Sequence, residues 1–517
     1  MEIGGAVLKI ISYDLGTGGV KASLYNREMQ TLAKSFIEYE TFYPAPGTHE
    51  QRPGDWWKAI AESTHNLLKK TGTDPAEIVC VSLSGASLVA VPMGEHHEAL
   101  LEQVPIWSDT RAEAEAEEFF QKIDRDEWYL TTGNGFPAPC YSIFKLMWMK
   151  KHQPEIFSKT AYVLGSKDYI NFLLTGKVAT DFSYASGTGA YDLHSGKMKK
   201  EFLEAAGLPE TIFLPPVSSH TVIGTITEQA AGQIGLSAGT SVVCGGVDNA
   251  CMALGAVGAE AGKVYVSLGS SSWIPVNSRE PVLDAEKKPY VFAHIQEGMF
   301  TSAFSIFSGG SSLRWVREML FADTADPQIY QKMDALAAQA PVGSNGIFFN
   351  PSLAGGTSQD KSIYIKGAYA GLHLGTTRED MIRAAMEGIA FNLRMSLQHL
   401  KEKVSISDSI LFCGGGSKSS FWMQMFADIF HTSIEKTNVD QDAASLGAAA
   451  IAARGIGWWK DYSPIEQLHQ VQQRYLPNED AADRYEKLFP LFVHVNEVAA
   501  DLGEYMQRAQ NQINEKG

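Results

Sequence analysis

The chain has 517 residues, and at ~150 residues per domain that length predicts two to four domains and excludes a single small binding module. Lys plus Arg number 43 against 59 Asp plus Glu, a formal charge of −16, which argues against a nucleic-acid partner because backbone binding needs clustered cations that release counterions. With 44% hydrophobic and 20% charged residues the composition is globular, and its 47 glycines exceed the usual share of ~7% and predict many tight turns.

In chain order, the N-terminus runs without a basic region or cleavage site into a strand, turn, strand pattern: residues 8–13, then Asp14-Leu15-Gly16-Thr17-Gly18-Gly19, then 20–25. Residues 53–70 read as an amphipathic helix with Trp56, Ile60 and Leu67 on one face, and 78–83 as a strand. A second strand, turn, strand pattern follows at 264–267 and Leu268-Gly269-Ser270-Ser271-Ser272. Leu268-Gly269-Ser270 matches Leu15-Gly16-Thr17 at an offset of 268 − 15 = 253 residues, near half the chain. Two related α/β domains, 1–249 and 250–517, with a cleft between them are therefore expected. The second half continues with a helix at 380–402, a strand at 410–413 and a helix at 421–430, and from Pro464 onward reads as a packed helix pair. No apolar stretch reaches the ~18 residues of a membrane span. Cys80, Cys140, Cys244, Cys251 and Cys413 contain no C-x-x-C pair, so a soluble cytoplasmic protein with reduced thiols is expected.

Backbone N–H groups of a glycine-rich turn can converge on an anion without a lysine, and two such turns across a cleft can grip a polyphosphate. Ordinary hairpins would look the same, but Asp14 at the first turn is a carboxylate able to hold hydrated Mg²⁺. Neither G-x-x-x-x-G-K-[ST] nor a full G-x-G-x-x-G after a strand occurs, so ATP would bind by another route. Asp248 follows Cys244-Gly245-Gly246-Val247 and precedes a helix-like stretch at 250–256; it is read equally as a helix cap and as a general base at the domain boundary. Gly414-Gly415-Gly416 lets a flat ligand such as adenine lie on bare backbone, although a tight turn needs only one of the three. Trp107, Asp109 and Arg111 suit a polyhydroxylated ligand, with an Asp109–Arg111 ion pair as the plain alternative. Gly235-Leu236-Ser237-Ala238-Gly239 fits the nucleophile elbow of α/β hydrolases, yet the elements run helix 228–234 and then strand 240–244, the inverse of the order that elbow needs. His96-His97-Glu98 lacks H-E-x-x-H spacing.

Together these motifs resemble the FGGY family of carbohydrate kinases over nearly the whole chain. Asp14 through Thr17 with Lys21 is similar to the family's first phosphate loop, and Glu50-Gln51 before Trp56-Trp57 to its E-Q-x-P-x-x-W-W segment. Ser142, Lys145 and Trp148 resemble the first family signature; Gly367 through Leu372, then Asp380-Met381, Ala384 and Glu387, resemble the second. Lys167-Asp168-Tyr169, Thr180-Asp181 and Ser186-Gly187-Thr188 look most like the xylulokinase branch. The resemblance implies two ribonuclease-H-like (actin-like ATPase) domains around a central cleft, with C-terminal helices. It also implies transfer of the γ-phosphoryl group of ATP, with Mg²⁺, to a sugar or polyol hydroxyl. In that frame Asp248 would be the base and Asp14 the metal-organising residue. Thr17, Gly269 and Ser270 would face the phosphates, and Gly310, Arg314, Gly415 and Ser419 would flank the nucleotide. Trp107, Asp109, Asn249 and Trp273 would line the sugar pocket. The partners expected are a small sugar or polyol and, at most, a second copy of the chain. An α/β hydrolase and a noncatalytic actin-like nucleotide binder are the alternatives from other classes; sugar acids and glycerol-like polyols are alternative substrates.

Two departures stand out. Where xylulokinases read S-G-Q-M-H-G, this chain reads Ser84-Gly85-Ala86-Ser87-Leu88-Val89, so Ser87 and Leu88 take the sugar-facing positions and D-xylulose is expected to be a poor or secondary substrate. Where the family reads S-G-E-R-T-P, Ala354-Gly355-Gly356-Thr357-Ser358-Gln359 stands without the arginine.

Overall fold

The structure, a computed structural model, describes residues 8–322, 324–439 and 442–514. Two seven-stranded sheets carry the fold. In the first, Lys9–Gly16, Gly19–Tyr25 and Thr31–Glu38 form an antiparallel meander, and Ile78–Gly85 and Ser241–Val243 extend it in parallel. The second repeats the plan: Tyr265–Leu268, Ser272–Ser278 and Phe300–Ile306 meander, then Ser409–Cys413 and Ser433–Thr437 add in parallel. This duplicated order is the pair of ribonuclease-H-like units that the resemblance implied.

The hairpin turns are tighter than the sequence indicates. Gly16 pairs with Gly19, leaving only Thr17 and Gly18 at the tip, so Asp14 lies within the strand. Alternation then decides where its carboxylate goes. The Tyr13 hydroxyl bonds Thr64 of helix Pro53–Thr71 at 2.6 Å, so Asp14 points to the opposite face, where the helix Ala443–Gly455 from the second half of the chain packs on Lys9–Gly16 and Ile78–Gly85. That helix crosses Asp248–Val257, and the crossing needs glycine on both sides: a Cβ on Gly255 would overlap the Ala443 carbonyl, and one on Gly447 the Cys251 carbonyl. The hydrophobic core is continuous across this crossing. The division expected after residue 249 falls inside helix Asp248–Val257, which links the two sheets.

The helix pair expected from Pro464 onward is not formed. A short 3₁₀ turn, Ser463–Leu468, leads to an edge strand, Val471–Tyr475, and then to a single helix, Glu479–Asn514, with Pro490 inside it. The strand is almost wholly exposed and joins Ser433–Thr437 through backbone pairing, so it carries no apolar alternation to betray it. Among the described residues no helix is long and apolar enough to cross a membrane.

Candidate active site

Sheet register brings the two aspartates together. Asp14 pairs with Ser84 in the parallel neighbour, and Ser84 also pairs with Gly246. One row thus sets Asp14 and the short strand Gly246–Val247 on either side of Ser84, and the carboxyl end of that short strand opens helix Asp248–Val257. Ser84 Oγ donates to Asp14 Oδ1 at 2.8 Å. Asp248 is not the helix cap: Val247 holds that position, and the Asp248 carboxylate accepts the Asn249 N–H at 2.8 Å. Burial is the main cause that lifts the Asp248 carboxyl, the negative charge of Asp14 adds to it, and the N–H groups of Asn249, Ser87 and Asp248 itself hold it down; the balance is a pKa of about 7. Asp14 is raised by burial too, opposed by the Ser84 hydroxyl and Lys21. The ordinary carboxylate value of ~3.9 would make Asp248 a weak base at neutral pH. Its surroundings instead poise it where a general base works best.

The first hairpin tip is held by bonds that occupy its carbonyls. Tyr39 donates to Gly16 O, Gln51 Nε2 donates to Thr17 O at 2.7 Å, and Trp56 Nε1 orients that glutamine at 3.1 Å. Gln51 and Trp56 of the E-Q-x-P-x-x-W-W segment therefore brace the first hairpin tip. Trp107 Nε1 donates to Thr17 Oγ1 at 2.9 Å, so two residues expected in different subsites meet at one point. Asp109, expected at the sugar, is fully buried, and its carboxylate accepts from Arg111 Nη2 at 2.7 Å, Arg111 Nε at 2.9 Å and the His49 N–H at 2.7 Å. The ion pair accounts for it, and no acceptor is left for a sugar.

Around Asp248 the loop expected to face the sugar is pinned in place. Leu88 is a non-glycine residue in the left-handed region, at φ 59°, a strained conformation that persists only where its surroundings enforce it. Here the buried Lys145 enforces it, donating to Leu88 O at 2.7 Å and to Ile106 O at 2.6 Å. The Leu88 side chain is buried against Gly187, so the loop meets Asp248 through Ser87. Trp273 stacks on Phe292 at 6.3 Å between centroids and meets Tyr265 edge-on. Tyr290 was not legible in the sequence. It stacks on Phe136 at 4.5 Å, and its hydroxyl faces Asn249 and Ser87. It reaches the site from an edge strand, Tyr290–Ala293, that carries no motif.

A cavity of about 540 Å³ collects the residues expected at the nucleotide. Gly269, Ser270, Gly310, Arg314, Gly415 and Ser419 line it, joined by Tyr330, Asp334 and Lys418, which the sequence did not single out. Gly310 N–H donates to Gly269 O at 2.8 Å, and Arg314 Nη2 to Ser270 Oγ at 3.0 Å. The helix Gly310–Leu320 thereby fastens the second turn. Of the three glycines at 414–416, Gly414 and Gly416 are required by contacts with Leu268, while a Cβ on Gly415 would meet open space. The bare backbone at Gly415 is therefore presented to the cavity.

Ser237 sits between helix Glu228–Ile234 and strand Ser241–Val243, the inverted order that excludes a nucleophile elbow. Ser237→Ala is expected to leave the turnover of the purified protein within ~2-fold of the parent, as for ordinary surface substitutions; steady-state kinetics of the variant check this.

The model for the N-terminal domain of the FGGY family of carbohydrate kinases matches residues 9–255, and that for its C-terminal domain matches 264–456. A xylulose kinase of Bacillus subtilis (strain 168) is 30% identical over 95% of this chain and 97% of its own. A gluconokinase of Bacillus licheniformis is 26% identical over 97% and 98%. Among solved structures, a gluconate kinase from Lactobacillus acidophilus superposes with a TM-score of 0.89 at 27% identity, covering 97% of this chain and 100% of that one. A ligand-bound xylulose kinase from the same organism gives a TM-score of 0.89 at 27% identity over 96% and 100%. Both family domains, in order and on duplicated sheets, make this chain a member of the FGGY family of carbohydrate kinases.

Proposed function

We propose that the cleft transfers the γ-phosphoryl group of Mg²⁺-bound ATP, in the cytoplasm, to a hydroxyl of a ketose, polyol or sugar acid. Residues 1–249 would hold the sugar and the first phosphate turn, and 250–517 the nucleotide. Asp248 takes the hydroxyl proton as the new O–P bond forms and the bond to ADP breaks. The observation that carries this reading is the place of the Asp248 carboxylate, at the carboxyl end of strand Gly246–Val247 and within reach of the Asp14 charge, which together with burial pushes its pKa up to about 7. Ligands of open α/β sheets bind at those strand ends.

Among the described residues no group of three His, Cys, Asp or Glu side chains could hold a metal ion. That fits Mg²⁺, which is usually bound by one or two carboxylates together with substrate phosphates. Asp14 would hold it, and the ion would neutralise charge on the phosphates when bound. Amides of the two hairpin turns supply the rest of the electrostatic stabilisation, and positioning does the remaining work of phosphoryl transfer.

Xylulose kinases and gluconokinases both stand among the relatives, so the loop at 84–89 bears on the choice. Ala86 and Leu88 stand where the motif has the polar Gln and His, Ser87 stands where it has Met, and Leu88 is buried. A site that has lost hydrogen-bonding groups weakens the sugar they matched. The expected result is that D-xylulose is a poor or secondary substrate and that another ketose, a polyol or a sugar acid gives the highest kcat/KM. A screen across pentuloses, hexuloses, polyols and sugar acids checks it: a clear maximum at D-xylulose would overturn the substrate reading. Sugar-independent nucleotide binding without turnover would overturn the kinase reading.

A further inference from the structure

The xylulokinase-like segments at 167–169 and 180–188 have no part in the chemistry described so far, yet they build a charged cluster in the interior. Lys167, Asp168 and Asp181 are all fully buried. Lys167 pairs with Asp168 and lies 3.0 Å from Asp181. Thr180 Oγ1 donates to Asp168 Oδ2 at 2.8 Å, and Ser219 Oγ donates to Asp181 Oδ2 at 2.7 Å. Buried ion clusters of this kind contribute little net stability compared with apolar side chains of the same volume, so their retention calls for another account.

Asp168 and Asp181 also cap their local helices through the Gly165 and Tyr184 N–H groups, but the bonds that leave the cluster for another part of the chain converge on one turn. Ser183 Oγ donates to Asp181 Oδ2 at 2.6 Å and accepts the Val247 N–H at 2.9 Å. Asn171 Nδ2 donates to Cys244 O at 2.8 Å, and Lys167 Nζ reaches the same carbonyl at 3.4 Å. The Gly245 N–H donates to Ser219 O at 2.9 Å. Cys244, Gly245 and Val247 are the residues that carry the chain into Asp248, and Gly245 has a φ of 74° with Leu83 O where a Cβ would sit. The turn is thus fixed from behind by the cluster and from the front by the sheet.

We infer that Ser183, held by Asp181 and Lys167, is a positioning residue that sets the Asp248 carboxylate in line with the acceptor hydroxyl. The inference rests on Asp248 being the base. Removing the Ser183 hydroxyl frees the Val247 N–H and lets the turn relax, and misplacement of a reacting group by ~1 Å costs up to ~10²-fold. Substrate contacts made elsewhere are untouched.

The test is a double-mutant cycle on the full chain with ATP and the best substrate of the screen. Ser183→Ala is expected to lower kcat by roughly 10-fold to 100-fold, with both KM values within ~2-fold. In an Asp248→Asn background the same substitution is expected to change the residual turnover by less than ~2-fold, because the residue it acts through is already disabled. Ser219→Ala, which removes one donor from the same carboxylate, should give a smaller loss of the same kind and serves if Ser183→Ala does not fold. Unchanged kcat in the serine variants, a loss seen mainly in KM, or losses that multiply with Asp248→Asn would overturn the inference. An Asp248→Asn enzyme with normal turnover would overturn both the base and this inference. Inactive Asp248→Asn with normal serine variants would overturn this inference alone.

Discussion

Asp248→Asn is expected to cut turnover by about 10²–10⁴, the cost of removing a general base, while ATP and sugar binding stay near parental values. The same substitution is expected to stabilise the protein at alkaline pH. The native carboxyl has a pKa of about 7, above the ordinary 3.8, so between pH 4 and 7 the folded state binds the proton that the unfolded state releases. Stability therefore falls as pH rises through that window, and the full cost of the buried charge is present above pH 7. Asparagine does not titrate. The gain in Tm of Asp248→Asn over the parent should be largest at pH 8, shrink as pH falls below 7, and vanish near pH 4. In the parent, kcat/KM should fall ~10-fold per pH unit below about 7, reporting a free-enzyme base. Near-normal turnover in the variant would leave Asp248 without a catalytic role, and a Tm difference independent of pH would remove the argument from burial.

How far this site is legible in the sequence depends on the distance over which each property is fixed. The turns that carry Asp14, Gly269 and Gly415 are legible because strand, glycine turn and strand are local patterns, and the structure places Gly269 and Gly415 on one cavity. The same locality misleads at Asp248, where the sequence admits a helix cap equally well; only the strand Gly246–Val247 and its pairing with Ser84 turn that residue towards Asp14. Its raised pKa is still less legible, since burial and the charge of Asp14 both arise from long-range packing. Asp109 shows the converse. The pattern of aromatic, carboxylate and guanidinium looks like a sugar subsite, and two residues of the same pattern neutralise each other in the interior. The second family signature is legible as a motif but not as physics. Asp380 closes the capping box of helix Arg378–Lys403, and Glu387 binds Arg383 and the Gly343 N–H, so these two residues hold the fold and do not touch the cavity. Tyr290 and the strand Val471–Tyr475 lie on sheet edges, where pairing is made by backbone groups that no side-chain pattern announces.

Asp14→Asn is expected to reduce turnover by about 10²–10³, the range for losing one preorganised electrostatic group, and to raise the Mg²⁺ concentration needed for half-maximal rate. The substitution is close in shape and leaves an oxygen to accept the Ser84 hydroxyl, so the hairpin should survive; circular dichroism checks that. A second effect separates two ways in which Asp14 could act. Its charge is one of the causes that raise the Asp248 carboxyl, and Asn abolishes that repulsion. The acid limb of kcat/KM should consequently move below pH 7 as Asp248 becomes easier to ionise. If the limb moves while the Mg²⁺ requirement stays parental, Asp14 tunes the base and does not organise the metal. If the Mg²⁺ requirement rises without any movement of the limb, the two carboxylates do not feel each other in the working enzyme, and the value of about 7 belongs to burial alone. Both changes together are expected, because the charge of Asp14 already reaches the Asp248 carboxyl, so one substitution alters both the proposed metal ligand and the base.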